Sequence, residues 1–455
     1  MGTSPSLSLS LSLSLWNDVG THVADVTHDP HNDFWGLRYA PAWLEQERPF
    51  YLAPCLPLAA PEGGYDSRSI RRFIENLLPE GAALDVVARS QGIGKGNIFG
   101  LIRALGAETT GAFRFQADGS KPDPQAANAA RPISTAELAQ RIADRDTRPF
   151  IEWDGKVRMS VAGYQDKLPV HVEGESVQEG TIFLPDNVPS THILKPQPRD
   201  SAMPHMVVNE HFCMRLAAAM RLPAAEVQML HVPQPVLAVR RFDRVRQAPQ
   251  RRVLRTHIID ACQAGDLPVS YKYEHHIGSV GDARLYRDGM SFPRLFGLLE
   301  HSVAKAADKL AMIRWALFQI LIGNGDAHGK NFSFHVLPQG LATAPWYDLV
   351  SVAQYPDVSQ ELAMAFGDCF ALEELTPFEF AHFAHLCAID RRLLTREAQR
   401  MAKAAPVAAA KVLRESPYTP EEHAFAQRIA AYATTQAQRL VDIAQKAAAL
   451  PSDLF

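Results

Sequence analysis

The chain has 455 residues, 47% hydrophobic and 21% charged, a composition ordinary for a folded protein of two or three units and indicative of no exotic class. Its formal net charge of −4 argues against a protein that grips nucleic acid by itself, so any DNA contact is expected through a partner. The scattered cysteines Cys55, Cys213, Cys262, Cys369 and Cys387 never form a C-x-x-C pair, which argues against a disulfide framework and a zinc site and fits buried thiols in a reducing cytoplasm.

Residues 6–15 alternate Leu and Ser. They lack a basic leader region and a continuous apolar core, so the stretch reads as a β-strand with a ragged start, from a start codon set too far upstream, and not as a signal peptide. No apolar run reaches about 18 residues, so no membrane span is expected. Gly36-Leu-Arg-Tyr-Ala40 and Phe50-Tyr-Leu-Ala-Pro54 read as further strands. Residues 69–78 and 98–105 read as helices, with Ile70, Phe73, Ile74, Leu77 and Leu78 on one face of the first. This unit, 1–123, shows no residues that suggest chemistry. Residues 117–132, rich in Pro, Asp, Gln and Ala, are the best linker candidate, and Ser134-Thr-Ala-Glu137 reads as a capping box for a helix to about Arg145; 124–149 is therefore taken as linker and short helix.

A second unit begins near Phe150. Its segment 158–167 has one glycine, Gly163, and fails the G-x-G-x-x-G pattern, so from the residues alone a plain hairpin is favoured over a nucleotide loop. Thr191-His-Ile-Leu-Lys-Pro196 reads as a short strand ending at Lys195, since Pro196 forbids continuation as a helix. Residues 204–222 read as an amphipathic helix with Val208, Met214, Leu216 and Met220 facing the core. It carries Glu210, a candidate for the helix-borne carboxylate that steadies a kinase's lysine, though a solvated surface glutamate fits the sequence as well. Pro235-Val-Leu-Ala-Val-Arg-Arg-Phe-Asp243 is an extended apolar run ending in charges; 260–263 and 267–274 pass for an ordinary helix and loop.

The densest signal is Leu321-Ile-Gly-Asn-Gly-Asp-Ala-His-Gly-Lys-Asn-Phe-Ser-Phe334, which follows a helix-periodic apolar stripe (Leu310, Ile313, Leu317, Ile320, Leu321) and leads into a β-like run. Asp326 and Asn331 stand five apart, the spacing of a kinase catalytic loop in which the Asp takes the acceptor proton and the Asn holds a metal ion. Asp348 follows between apolar flanks that would bury it unless it met a cation. A lone Asp-Gly turn is more often a turn than a site. A base, a metal-binding amide, a metal-binding carboxylate and an upstream lysine in the expected order point instead to phosphoryl transfer.

Ser160-Val-Ala-Gly-Tyr-Gln-Asp-Lys167, His192-Ile-Leu-Lys195, Arg241-Phe-Asp-Arg244, Gly325-Asp-Ala-His-Gly-Lys-Asn331 and Tyr347-Asp348 together resemble the HipA family of bacterial toxin serine/threonine kinases, over about residues 15–430. The resemblance implies an α+β, two-lobed protein-kinase-like fold. Its parts would be a small β-rich N-terminal subdomain (1–123) that packs on the kinase, an N-lobe at 150–239, and a mostly helical C-lobe at 240–455. It implies an ATP phosphate loop holding Ser160, Val161, Ala162, Gly163, Gln165 and Lys167, with Ser160 the autophosphorylation site whose modification silences the enzyme. Tyr164 departs from the small residue common there. The run 235–243 and Arg241-Phe-Asp-Arg244 would form the strand and hinge between the lobes, with backbone near Arg240 and Phe242 meeting the adenine edge, and 260–263 and 267–274 would shape the acceptor side of the cleft. Lys195 would hold the phosphates, Asp326 would act as base, Asn331 and Asp348 would hold Mg2+, and Lys330 would offset phosphoryl charge.

The resemblance further implies a protein substrate such as glutamyl-tRNA synthetase or another aminoacyl-tRNA synthetase, growth arrest or persistence, and neutralisation by a HipB-like helix-turn-helix antitoxin that carries the complex to operator DNA. Two rivals stay open. The Asp-x-His-x-x-Asn spacing also occurs in small-molecule kinases of the aminoglycoside-phosphotransferase type, and a non-catalytic nucleotide-binding co-repressor would share the cleft.

Overall fold

The computed structural model describes residues 10–117, 121, 130–158, 166–174, 176–185, 188–200, 202–247 and 252–455. The Leu/Ser alternation becomes the strand Leu11–Trp16, in a four-stranded antiparallel sheet ordered Phe34–Tyr39, His22–Asp29, Leu11–Trp16, Arg114–Ala117. Alternation puts Leu13 and Leu15 wholly in the core, each worth about 2 kcal/mol of burial. Between them Ser14 Oγ donates to Asp25 (2.7 Å), which satisfies the polar rung.

Helices Ser67–Glu75, Gly81–Gln91 and Ile98–Leu105 follow; the first and last match the sequence reading closely, and the middle one was not foreseen. The strand expected at 50–54 does not form. Side chains take its backbone groups instead: Leu52 N–H donates to Tyr39 Oη (2.7 Å), Trp43 Nε1 donates to Phe50 O (3.0 Å), and His257 Nε2 meets Leu52 O (2.8 Å). Those bonds replace a ladder.

The second sheet has six strands in the order Val227–Val232, Gln234–Arg240, His192–Pro196, Leu168–Glu173, Thr181–Leu184, Arg131–Ile133. Arg131–Ile133 is its edge, and Leu138 and Ile142 of the expected short helix, Thr135–Ala143, fill the small core beneath it; most of the linker candidate 117–132 lies outside the described residues. The capping box is half realised. Ser134 Oγ accepts from Glu137 N–H (3.1 Å), but the Glu137 carboxylate turns to Arg131 (2.8 Å). The two-residue period of His192–Pro196 sends Leu194 into that small core and Lys195 to the opposite face.

Across the sheet lies helix Met206–Ala219, buried nearly all round because the long helices Arg391–Glu415 and Pro420–Ala449 cover its far side. Helix Lys305–Ile322 ends at Gly323, whose φ of +66° lies in the left-handed region; a Cβ there would also strike Tyr432 and Ala353. The strand Ser333–Leu337 follows the loop it releases. Among the described residues, no helix is long and apolar enough to cross a membrane.

Candidate active site

A cavity of about 600 Å³ opens between the six-stranded sheet and the helical lobe, large enough for a nucleotide. Lys167, Lys195, Phe242, Asp326, Asn331 and Asp348 all line it. Five of the expected phosphate-loop positions, Ser160, Val161, Ala162, Gly163 and Gln165, lie outside the described residues.

Lys195 is buried, and its ammonium bridges two carboxylates: Glu210 Oε1 at 2.6 Å and Asp348 Oδ1, also in direct contact. Burial works to lower the lysine's pKa, but Asp348 and Glu210 outweigh it and keep the amine charged. Burial would likewise raise Asp348, yet Lys195 and Lys167 hold it well below the usual carboxylate range. Burial pushes Glu210 up, against the pull of Lys195. Glu210 is thus the helix-borne partner of the lysine, and not a surface residue. Buried Lys167 has a lowered pKa from the same desolvation, opposed by Asp348.

Asp348 has φ +53°, a left-handed conformation that Asp tolerates better than bulkier residues. Its segment is fastened to helix Met206–Ala219 by Asn209, whose amide donates to Ser351 O and Tyr355 Oη (both 3.0 Å) and accepts from Ser351 N–H (2.7 Å). Asn209→Ala would leave the Ser351 peptide unpaired in a dry interior. It should cost about 3 kcal/mol, read as a lowered urea midpoint with an unchanged slope.

The catalytic loop is ordered by its own short bonds. Asn324 Oδ1 accepts from Asp326 N–H (3.0 Å), and Asn331 Nδ2 donates to Asp326 O (2.9 Å). With its amide nitrogen so occupied, Asn331 keeps an amide oxygen with no hydrogen-bond partner among the described residues, and that oxygen and the Asp348 carboxylate are donors of the kind that would suit magnesium. Asp326 is exposed to the cleft, but the protein around it raises its carboxyl above the ordinary value, opposed by a hydrogen bond from Tyr273 and by Lys272. Buried His328 has its pKa lowered well below the usual imidazole value by desolvation and remains neutral, in keeping with a structural role.

One expected residue sits otherwise than the sequence implied. Lys330 lines the cavity, but its ammonium donates to Asp260 Oδ2 (2.6 Å) and to Asn76 O and Oδ1 (both 3.0 Å). All three N–H bonds have acceptors, so it fastens the loop to the N-terminal unit. Arg240 lines the cavity as expected; its guanidinium pairs with Glu226 (2.8 Å) and its N–H donates to Glu226 O (2.8 Å), which occupies its backbone donor. Among the described residues the peptide groups of Phe242 have no partner, so Phe242 is the better placed of the two to meet an adenine edge.

Sequence reasoning missed two contributors, Asn76 and Glu80, and gave a third, Tyr273, no role beyond its segment's place beside the cleft. Asn76 and Glu80 of the N-terminal unit line the cleft, Glu80 pairing with Lys272 (2.7 Å), and Tyr273 Oη donates to Asp326 Oδ1 (2.7 Å). The hinge motif also has an unexpected outlet. Arg241, Arg244 and Arg255 converge on Glu108 of the N-terminal unit, and Asp243 Oδ2 accepts from Gly111 N–H (3.1 Å). No local pattern marks these residues, because each partner lies tens to hundreds of positions away.

Residues 8–116 match the family profile described as HipA N-terminal domain, and 159–409 that described as HipA-like C-terminal domain. A serine/threonine-protein kinase toxin HipA of Shewanella oneidensis is 39% identical over 428 residues, 93% of each chain. A putative kinase of Sinorhizobium fredii is 34% identical over 411 residues, 89% of this chain and 92% of that one. In the solved complex of Shewanella oneidensis HipA, HipB and operator DNA, one chain superposes with a TM-score of 0.85 at 36% identity, covering 96% of this chain and all of that one.

Proposed function

The chain belongs to the HipA family of serine/threonine-protein kinase toxins, and on that premise we propose that it moves the γ-phosphate of MgATP to a protein hydroxyl through the residues of this cleft. The observation that carries the reading is Lys195 held between Glu210 and Asp348 in the cavity that Asp326 and Asn331 also line. Lys195 binds the phosphates, and Phe242 backbone groups meet the adenine. Asn331 and Asp348 hold the magnesium, which when bound neutralises phosphate charge. Asp326 accepts the acceptor's proton as the new O–P bond forms and ADP leaves with its oxygen. Such a transfer depends mainly on positioning and charge neutralisation, which these fixed side chains supply.

We assign the 158–167 segment to the phosphate loop, with Ser160 as its self-limiting phosphorylation site, and a cytoplasmic location. A HipB-like antitoxin is the expected partner, bringing operator DNA to the complex, since the solved relative sits in such an assembly. The substrate proposed is an aminoacyl-tRNA synthetase, with glutamyl-tRNA synthetase the first to test, and the outcome is blocked translation and growth arrest or persistence.

Induction without antitoxin tests the reading. Wild type should arrest growth, Asp326→Asn should not, and phosphoproteomics soon after induction should show a synthetase phosphopeptide only with wild type. Equal arrest by both proteins would favour a non-catalytic role. A phosphate on Ser160 after incubation with ATP would separate this chain from a metabolite kinase.

A further inference from the structure

Tyr273 lies in the loop after Leu267, which the assigned roles leave unused, yet its hydroxyl reaches the base. Tyr273 Oη donates to Asp326 Oδ1 at 2.7 Å, whereas among the described residues Oδ2 has no hydrogen-bond partner. We propose that Tyr273 is a positioning residue for phosphoryl transfer: its hydroxyl fixes the Asp326 carboxylate so that the second oxygen faces the incoming acceptor hydroxyl. The inference rests on Asp326 being the base.

The loop is built to hold that hydroxyl still. Glu274 N–H donates to Ala363 O (2.9 Å), Gly289 N–H to Glu274 O (3.2 Å) and Met290 N–H to Tyr271 O (2.8 Å). A Cβ on Gly289 would fall 1.7 Å from Tyr273 O, so glycine is required for the close approach. On the other side Gly329 N–H of the catalytic loop donates to Lys272 O (2.9 Å), which couples the two loops directly. The Tyr273 ring stands edge-on to His328, with centroids 5.0 Å apart, and Lys272 Nζ lies 5.4 Å from its centre. An Asp side chain has only two torsions, and one short bond to Oδ1 fixes the second of them. The acceptor's proton then passes to Oδ2 as its oxygen bonds to the γ-phosphorus and the bond from that phosphorus to the ADP oxygen breaks.

Tyr273→Phe, which keeps the ring, should lower kcat about tenfold with the KM for ATP within about twofold, and 3-fluorotyrosine at 273, which keeps the hydroxyl, should hold kcat within about twofold of wild type. An unchanged kcat in Tyr273→Phe, a rise in its KM for ATP as large as its fall in kcat, or an equal loss with 3-fluorotyrosine overturns the proposal. Asp326→Asn run in parallel separates the two claims: if it transfers phosphate at the wild-type rate, the assignment of the base fails instead.

Discussion

Replacing Asp348 with asparagine is expected to lower phosphoryl transfer by at least about 10²-fold, and Asp326→Asn by about 10²–10⁴-fold, with the fold of both variants kept. The two losses should differ in kind. Asp348 is held ionised by Lys195 and Lys167, and with Glu210 it is in direct contact with the lysine assigned to the phosphates. Its loss removes a metal ligand and a partner of Lys195 together, so the response to magnesium should be blunted and the KM for ATP should rise. The Asp326 carboxylate makes no hydrogen bond to Lys195 or to Asn331 among the described residues, and its loss should reach kcat alone. Steady-state rates across a magnesium titration read both, and undiminished transfer in either variant would remove that residue from the mechanism.

The largest effect on stability is expected at Glu108. Its carboxylate meets Arg241 (3.1 Å), Arg244 (3.0 Å) and Arg255, side chains 1–2% exposed, and also accepts from Ser190 Oγ (2.7 Å). Glu108→Ala leaves these guanidiniums with one carboxylate fewer in a dry interface, at a cost of about 3–5 kcal/mol in urea unfolding. Acid should act in the same place. Burial would raise Glu108, but the three arginines hold it far below the normal range, and Asp243 is lowered likewise by Arg241 and Arg244 against its burial. Groups depressed on folding stabilise above their unfolded pKa and cease to do so as pH falls. Wild type should therefore lose stability as pH drops below about 4, and Glu108→Ala should lose less over the same interval.

The groups that meet in the cleft were legible because their signals are local. Asp326 and Asn331 are read from their spacing, Lys195 from a strand that a proline ends, and Asp348 from a carboxylate set among apolar residues. The helix at 98–105 follows from apolar periodicity, whereas 206–219, read as amphipathic, is buried nearly all round. What escaped was set by tertiary partners. Glu210 reads equally as a surface or a buried residue until the covering helices are in place, and residues 50–54 have strand composition but give their backbone groups to Tyr39, Trp43 and His257. Lys330 is drawn to Asp260 and Asn76, the latter 254 positions earlier. The N-terminal unit, whose residues suggested no chemistry, forms part of the cleft wall through Asn76, Glu80 and Thr110.

One assay bears on the whole account: the purified chain incubated with ATP labelled at the γ-phosphate, with and without magnesium, followed by mapping of the label. Label on serine or threonine hydroxyls that depends on magnesium and disappears with Asp326→Asn is the predicted result. A wild-type protein that binds ATP but places no label on any hydroxyl, or one whose labelling is indifferent to magnesium, would contradict it.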